Sequence, residues 1–220
     1  MMSYYVNAEK INLNELRKRI EDTDLVPSRS CLLEDISSRF EALKENGYVT
    51  FADLRSALKN AKNIPSISEK TGIPSEYLAL LRREIESYFP KPFPISSFDW
   101  LPEIDIEKLE KQGYKNTALL FDALNPPEKR EELQTALGIS HQVIDELSRL
   151  VNLTRIQWTS PTAARMLVDV GYYDAKSVSE ADADIMCNEL DKVNKDSNYF
   201  KGKIGLRDIK RWIHAASYVS

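Results

Sequence analysis

Apolar residues return at three- and four-residue intervals along most of the chain, which is the spacing of one face of an α-helix. Leu13, Leu16 and Ile20 trace one such face, and after a turn around Pro27 the stripe resumes as Leu33, Ile36, Phe40 and Leu43. Tyr77, Leu80, Leu81 and Ile85 form a third, and Val143, Ile144, Leu147 and Leu150 a fourth. Helix starts are written ahead of these runs. Asn12-Leu13-Asn14-Glu15 has capping-box spacing, and Thr50 and Thr117 are the expected N-caps for the runs from Phe51 and Ala118. The pattern predicts an all-α fold built from helical hairpins with short turns.

Glycine sharpens that picture because it is scarce. The chain holds seven in 220 residues, about 3% where about 7% is usual. Three of them lie in matching contexts, Gly47-Tyr48, Gly113-Tyr114 and Gly171-Tyr172, each with a leucine four residues before the glycine (Leu43, Leu109, Leu167). Two more, Gly72-Ile73 and Gly138-Ile139, follow the first two pairs at the same offset. An internal repeat accounts for this register. A glycine just past a helical run takes the left-handed C′ position without a Cβ penalty, and the tyrosine behind it packs back on the last turn.

The repeat is interrupted by Phe89-Pro90-Lys91-Pro92-Phe93-Pro94-Ile95-Ser96-Ser97-Phe98-Asp99-Trp100-Leu101-Pro102. Its four prolines exclude a helix interior. Its aromatic residues make it too apolar for a flexible linker, so it is expected to pack along the protein surface. The expected organisation is an N-terminal helical lobe with one divergent repeat over residues 1–92, a connector over 93–102, and a C-terminal domain over 103–220.

From Leu153 the order is Leu153-Thr154-Arg155-Ile156-Gln157-Trp158-Thr159-Ser160-Pro161-Thr162-Ala163-Ala164-Arg165-Met166-Leu167, then Gly171-Tyr172, then Ser177-Val178-Ser179-Glu180-Ala181-Asp182. This order resembles the helix-hairpin-helix pattern. With the upstream Gly-Tyr and Gly-Ile unit, Val193-Asn194, and Ile209-Lys210-Arg211-Trp212-Ile213-His214-Ala215-Ala216, the region resembles the family called domain of unknown function 4332. The resemblance is strongest over residues 104–218 and weaker over 36–90. It implies a fold similar to tandem helix-hairpin-helix modules of DNA-handling proteins, and it carries no activity to transfer.

Such a hairpin uses glycine to bring backbone N–H groups against a phosphate at a helix N-terminus. Here Trp158 stands where Gly72 and Gly138 stand in the other units. An indole at that place hinders a duplex but can stack on an unpaired base, and it is otherwise expected in the core or an interface. Ser160 and Pro161 still provide a helix start.

Charge adds one local feature to a chain of net charge −4. Between Lys192 and Arg211 seven basic residues face two acidic ones. Tyr199-Phe200-Lys201-Gly202-Lys203-Ile204-Gly205-Leu206-Arg207 places aromatics, glycines and cations in one expected loop before the last helix. Lys201, Lys203, Arg207, Lys210 and Arg211 are therefore the candidate nucleic-acid contacts.

Catalytic patterns are missing. There is no Gly-x-Gly-x-x-Gly, no phosphate-binding loop and no Gly-x-Ser-x-Gly. His141 and His214 have no Cys, Asp or Glu at metal-ligand spacing, so no metal or other cofactor is expected. Glu128, Glu131 and Glu132 read as a solvated first helical turn after Pro126-Pro127, and Asp182, Asp184, Glu189 and Asp191 as caps and surface. Cys31 and Cys187 read as reduced, buried thiols. No apolar run of about 18 residues occurs, and the N-terminus lacks a signal-peptide pattern, so no membrane is expected and the cytoplasm is the expected compartment. The function expected from sequence is a non-catalytic binding module for DNA or RNA. The alternative is a protein-interaction scaffold in which Trp158, Trp100, Tyr172 and Tyr173 form interfaces. Oligomeric state is not encoded in any of these patterns.

Overall fold

A computed structural model describes residues 3–219. Every regular element among them is helical, with two isolated β-bridges, Asn12 to Thr50 and Pro94 to Asn116. No helix among the described residues is long and apolar enough to cross a membrane. The chain divides into two compact units, residues 6–89 and residues 90–219 joined by Ser3, Tyr4 and Tyr5.

The first unit contains α1 (Leu13–Asp22), α2 (Ile36–Glu45), α3 (Phe51–Lys59), α4 (Ile64–Thr71) and α5 (Ser75–Ser87), with a 3-10 helix over Pro27–Leu33. The Asn12 capping box is present: its side chain accepts from the Asn14 and Glu15 amides, and Glu15 accepts from the Asn12 amide. Leu16, Ile20, Phe40, Leu43, Phe51, Leu54, Leu78, Leu81 and Ile85 are fully buried. The stripe through Pro27 differs from the expected one. Leu32 is buried and Leu33 is exposed, because the tighter 3-10 winding and the left-handed Asp35 rotate the inward position back by one residue. Three polar side chains are held in this core. Arg19 lies 3.7 Å over the Tyr88 ring, Glu84 pairs with Arg29, and the Tyr77 hydroxyl donates to the Leu32 carbonyl at 3.0 Å.

The second unit contains α6 (Glu103–Lys111), α7 (Thr117–Leu124), α8 (Pro127–Leu137), α9 (His141–Leu153), α10 (Pro161–Asp169), α11 (Ala175–Ser179), α12 (Ala183–Ser197) and α13 (Leu206–Ala216). The proline-rich stretch packs within it: Ile95 and Phe98 are fully buried, and Phe93 exchanges hydrogen bonds with Thr117 through its amide and carbonyl. Thr117 is consequently the first helical residue and not the cap. Asn116 caps α7, while the Thr117 hydroxyl is buried against the Phe93 amide and the Tyr4 hydroxyl at 2.8 Å. Tyr4 also donates to the Thr154 carbonyl, and the Arg155 guanidinium donates to the carbonyls of both Tyr4 and Val219. A buried arginine thus ties residues near both ends of the chain to the end of α9, and burial lowers its pKa to about 10.

The glycine register has a common physical origin. Tyr48, Tyr114 and Tyr172 donate their amides to the carbonyls of Leu43, Leu109 and Leu167, each leucine fully buried, and each intervening glycine has φ near +90°. This is the six-to-one bond of a Schellman stop, which is why leucine, glycine and tyrosine keep fixed spacing.

Candidate functional site

The turns before α5, α9 and α10 share one backbone form. A left-handed residue comes first, then a buried residue, then the N-cap: Gly72, Ile73, Pro74; Gly138, Ile139, Ser140; and Trp158, Thr159, Ser160. Their left-handed φ values are 71°, 59° and 67°. Trp158 therefore occupies a conformation that glycine holds freely and that a side chain holds at about 1–2 kcal/mol.

The surroundings fix it there. Leu153, Thr154, Arg155, Ile156, Gln157 and Thr159 are all buried, while Trp158 is 41% exposed. Of the two places expected for the indole, core or interface, the core is ruled out, because the left-handed backbone turns it outward from a turn whose other side chains point in. Ser160 caps α10 by accepting from the Ala163 amide at 3.1 Å, and Pro161 opens the helix.

Beside the indole lies a cavity of about 290 Å³, lined by Trp158, Met166, Phe200, Lys203, Asp208 and Trp212 among others. The loop between α12 and α13 supplies its far wall. Asn194 staples that loop: its side chain accepts from the Phe200 amide at 2.8 Å and donates to the carbonyls of Phe200 and Gly202. Gly202 has φ +141°, and a Cβ there would stand 3.0 Å from the Phe200 ring, so this glycine lets the ring fold across the loop. Phe200 stays 48% exposed.

The five candidate cations are distributed unevenly around the cavity. Lys203 lines it, and Arg211 places its guanidinium 4.3 Å from the centroid of the Trp158 ring. Arg207 and Lys210 lie with Arg211 and His214 on one face of α13, within an arc of about 100°, opposite the buried Ile209, Trp212 and Ala216. Lys201 is exposed in the loop between Phe200 and Gly202 and is not a lining residue. One carboxylate stands in it: Asp208 lines the cavity as it caps α13. Asp191, on α12, is held below its ordinary pKa, first by a hydrogen bond from Lys195, with Lys203 contributing.

The other residues singled out lie elsewhere, all but Cys31 in this unit. The Trp100 indole donates to Glu146 at 3.0 Å, and Arg165 lies between the Trp100 and Tyr199 rings. Burial raises the pKa of Tyr172, with Glu189, to which its hydroxyl donates, adding to the shift, and the exposed Tyr173 carries Arg149 at 4.2 Å. His141 contacts Asp145 at 2.9 Å, and His214 contacts Tyr218. Glu128, Glu131 and Glu132 lie exposed on α8, and Asp182 caps α12. Cys31 and Cys187 are free thiols, half-buried and not fully so. No three His, Cys, Asp or Glu side chains among the described residues are grouped to hold a metal ion.

A model of the family described as Domain of unknown function (DUF4332) matches residues 103–218, more than half of the chain. The chain belongs to the DUF4332 family. Trp158, the stapled loop and the basic face of α13 all lie inside the DUF4332 segment. No curated protein and no solved structure matches the chain.

Proposed function

We propose that the DUF4332 segment is a non-catalytic binding module for nucleic acid, with α13 and the loop preceding it as the contact surface. The observation that carries the reading is the basic face of α13, where Arg207, Lys210 and Arg211 share one side of a helix anchored on the other by Ile209 and Trp212. A helix so anchored presents its cations at fixed spacing to a phosphate backbone, and the loop before it adds the exposed Lys201 and Lys203.

The test is fluorescence anisotropy with short DNA and RNA at low and physiological salt. Affinity that falls steeply with salt, and is lost when Lys201, Lys203, Arg207, Lys210 and Arg211 are replaced by Ala, supports the reading. Absence of binding at low salt overturns it.

A protein-interaction role is favoured by a different observation. A cavity of about 570 Å³ between α7 and α8 is lined by Leu119, Leu133 and Leu137 together with Asp122, Lys129 and Glu132, Leu119 is 49% exposed, and α8 buries none of its residues.

A further inference from the structure

We infer that the cavity beside Trp158 takes an unpaired nucleobase, making this surface a reader of single strands; the inference rests on the nucleic-acid reading above. Four observations converge. The indole is turned outward by a left-handed backbone that the buried turn around it enforces. A second exposed ring, Phe200, faces the same cavity, held by Asn194 and made possible by Gly202. Arg211 lies against the Trp158 ring, where its planar cation can flank a stacked base and meet the phosphate attached to it.

The fourth observation concerns charge. Asp208 lines the cavity, so a phosphate placed inside would meet a carboxylate. A neutral ring suits the interior, and the phosphates suit Arg207 and Lys210 along the outer face of α13. A paired base cannot enter, because its faces are covered by stacked neighbours. The indole standing out from the turn also blocks a duplex from the approach that glycine leaves open at Gly72 and Gly138.

An abasic oligonucleotide separates stacking from charge, since it keeps every phosphate and removes every base. The experiment compares a 12-nucleotide oligodeoxythymidine, its abasic counterpart and a 12-base-pair duplex, with wild-type full chain and the Trp158→Gly, Trp158→Phe and Phe200→Ala variants. For wild type, the oligothymidine should bind about 10-fold or more tightly than the abasic strand. Trp158→Gly should remove that difference and, by opening the turn, raise duplex affinity, and Trp158→Phe should restore most of the difference. Phe200→Ala, on an exposed loop, should reduce the difference with the helical circular-dichroism signal intact. Equal affinity of wild type for the two strands overturns the inference while the nucleic-acid reading stands. So does an undiminished preference in Trp158→Gly. Failure of all three probes to bind overturns both.

Discussion

The Arg211 guanidinium lies 4.3 Å from the ring centroid of Trp158, a residue whose φ of +67° falls between those of Gly72 and Gly138 in the corresponding turns. The chain accepts backbone strain there, and the strained side chain points outward. The strain is measurable. Trp158→Ala keeps the left-handed backbone with a Cβ, whereas Trp158→Gly does not, so urea denaturation should find the Gly variant more stable than the Ala variant by about 1 kcal/mol. A helix interior gives the opposite order. The same logic applies to Gly138→Ala, which should destabilise by about 1 kcal/mol, and a built Cβ meets nothing within 4 Å, so the loss is conformational and not steric.

Asn194 is the organiser of the loop that carries Phe200. Asn194→Ala should release the Phe200 amide, whose hydrogen-exchange protection is expected to disappear while that of the buried Ile209 in α13 persists. Ligand affinity should fall with it, since the second ring no longer has a fixed place.

Arg155 is 3% exposed and donates to the Tyr4 carbonyl, the Val219 carbonyl and the Asn152 side chain. Arg155→Ala leaves buried acceptors without these bonds, and chemical denaturation should show a loss of about 3 kcal/mol. Arg155→Lys should recover only part, because one ammonium cannot reach three acceptors held at the corners of a guanidinium.

Tyr77 supplies a pH signature in the first unit. Burial raises its pKa from 10.0 to about 12, chiefly through loss of water around the phenolate, with Arg39 opposing. Between those values the unfolded chain has released its proton and the folded chain has not, so the folded state binds more protons and stability falls as pH rises. The contribution is complete below pH 10 and gone above pH 12, with a slope approaching about 1.4 kcal/mol per pH unit. Tyr77→Phe should reduce the slope of that limb in denaturation measured from pH 9 to pH 12, the remainder coming from Tyr88, whose pKa burial also raises.

Much of the helix plan was legible because its punctuation is local. A left-handed stop favours glycine, a Schellman bond requires the fixed spacing of Leu43 and Tyr48, and a capping box declares itself in Asn12 and Glu15. The same register placed Trp158 opposite Gly72 and Gly138 without any knowledge of its dihedral angle. Other features depend on partners distant in sequence. Nothing near Thr117 signals that its hydroxyl is claimed by Phe93 and Tyr4, leaving Asn116 to cap α7. The choice of Leu32 over Leu33 follows from a 3-10 winding that propensity does not encode. At the candidate site the cations stood out as a cluster, yet the cavity walls, Met166 and Trp212, come from helices that only packing brings together, and Asn194 carries no signal beyond an ability to bond backbone.

The seat of Tyr4 has a consequence for synthesis. Its hydroxyl meets Thr154, 150 residues further along, and the residues between include the whole of the first unit. At about 5–20 residues per second on a ribosome, Tyr4 waits on the order of 10 s for the groups that will receive it. The unit that contains the DUF4332 segment is thus closed late, by a residue made before the whole of the first unit.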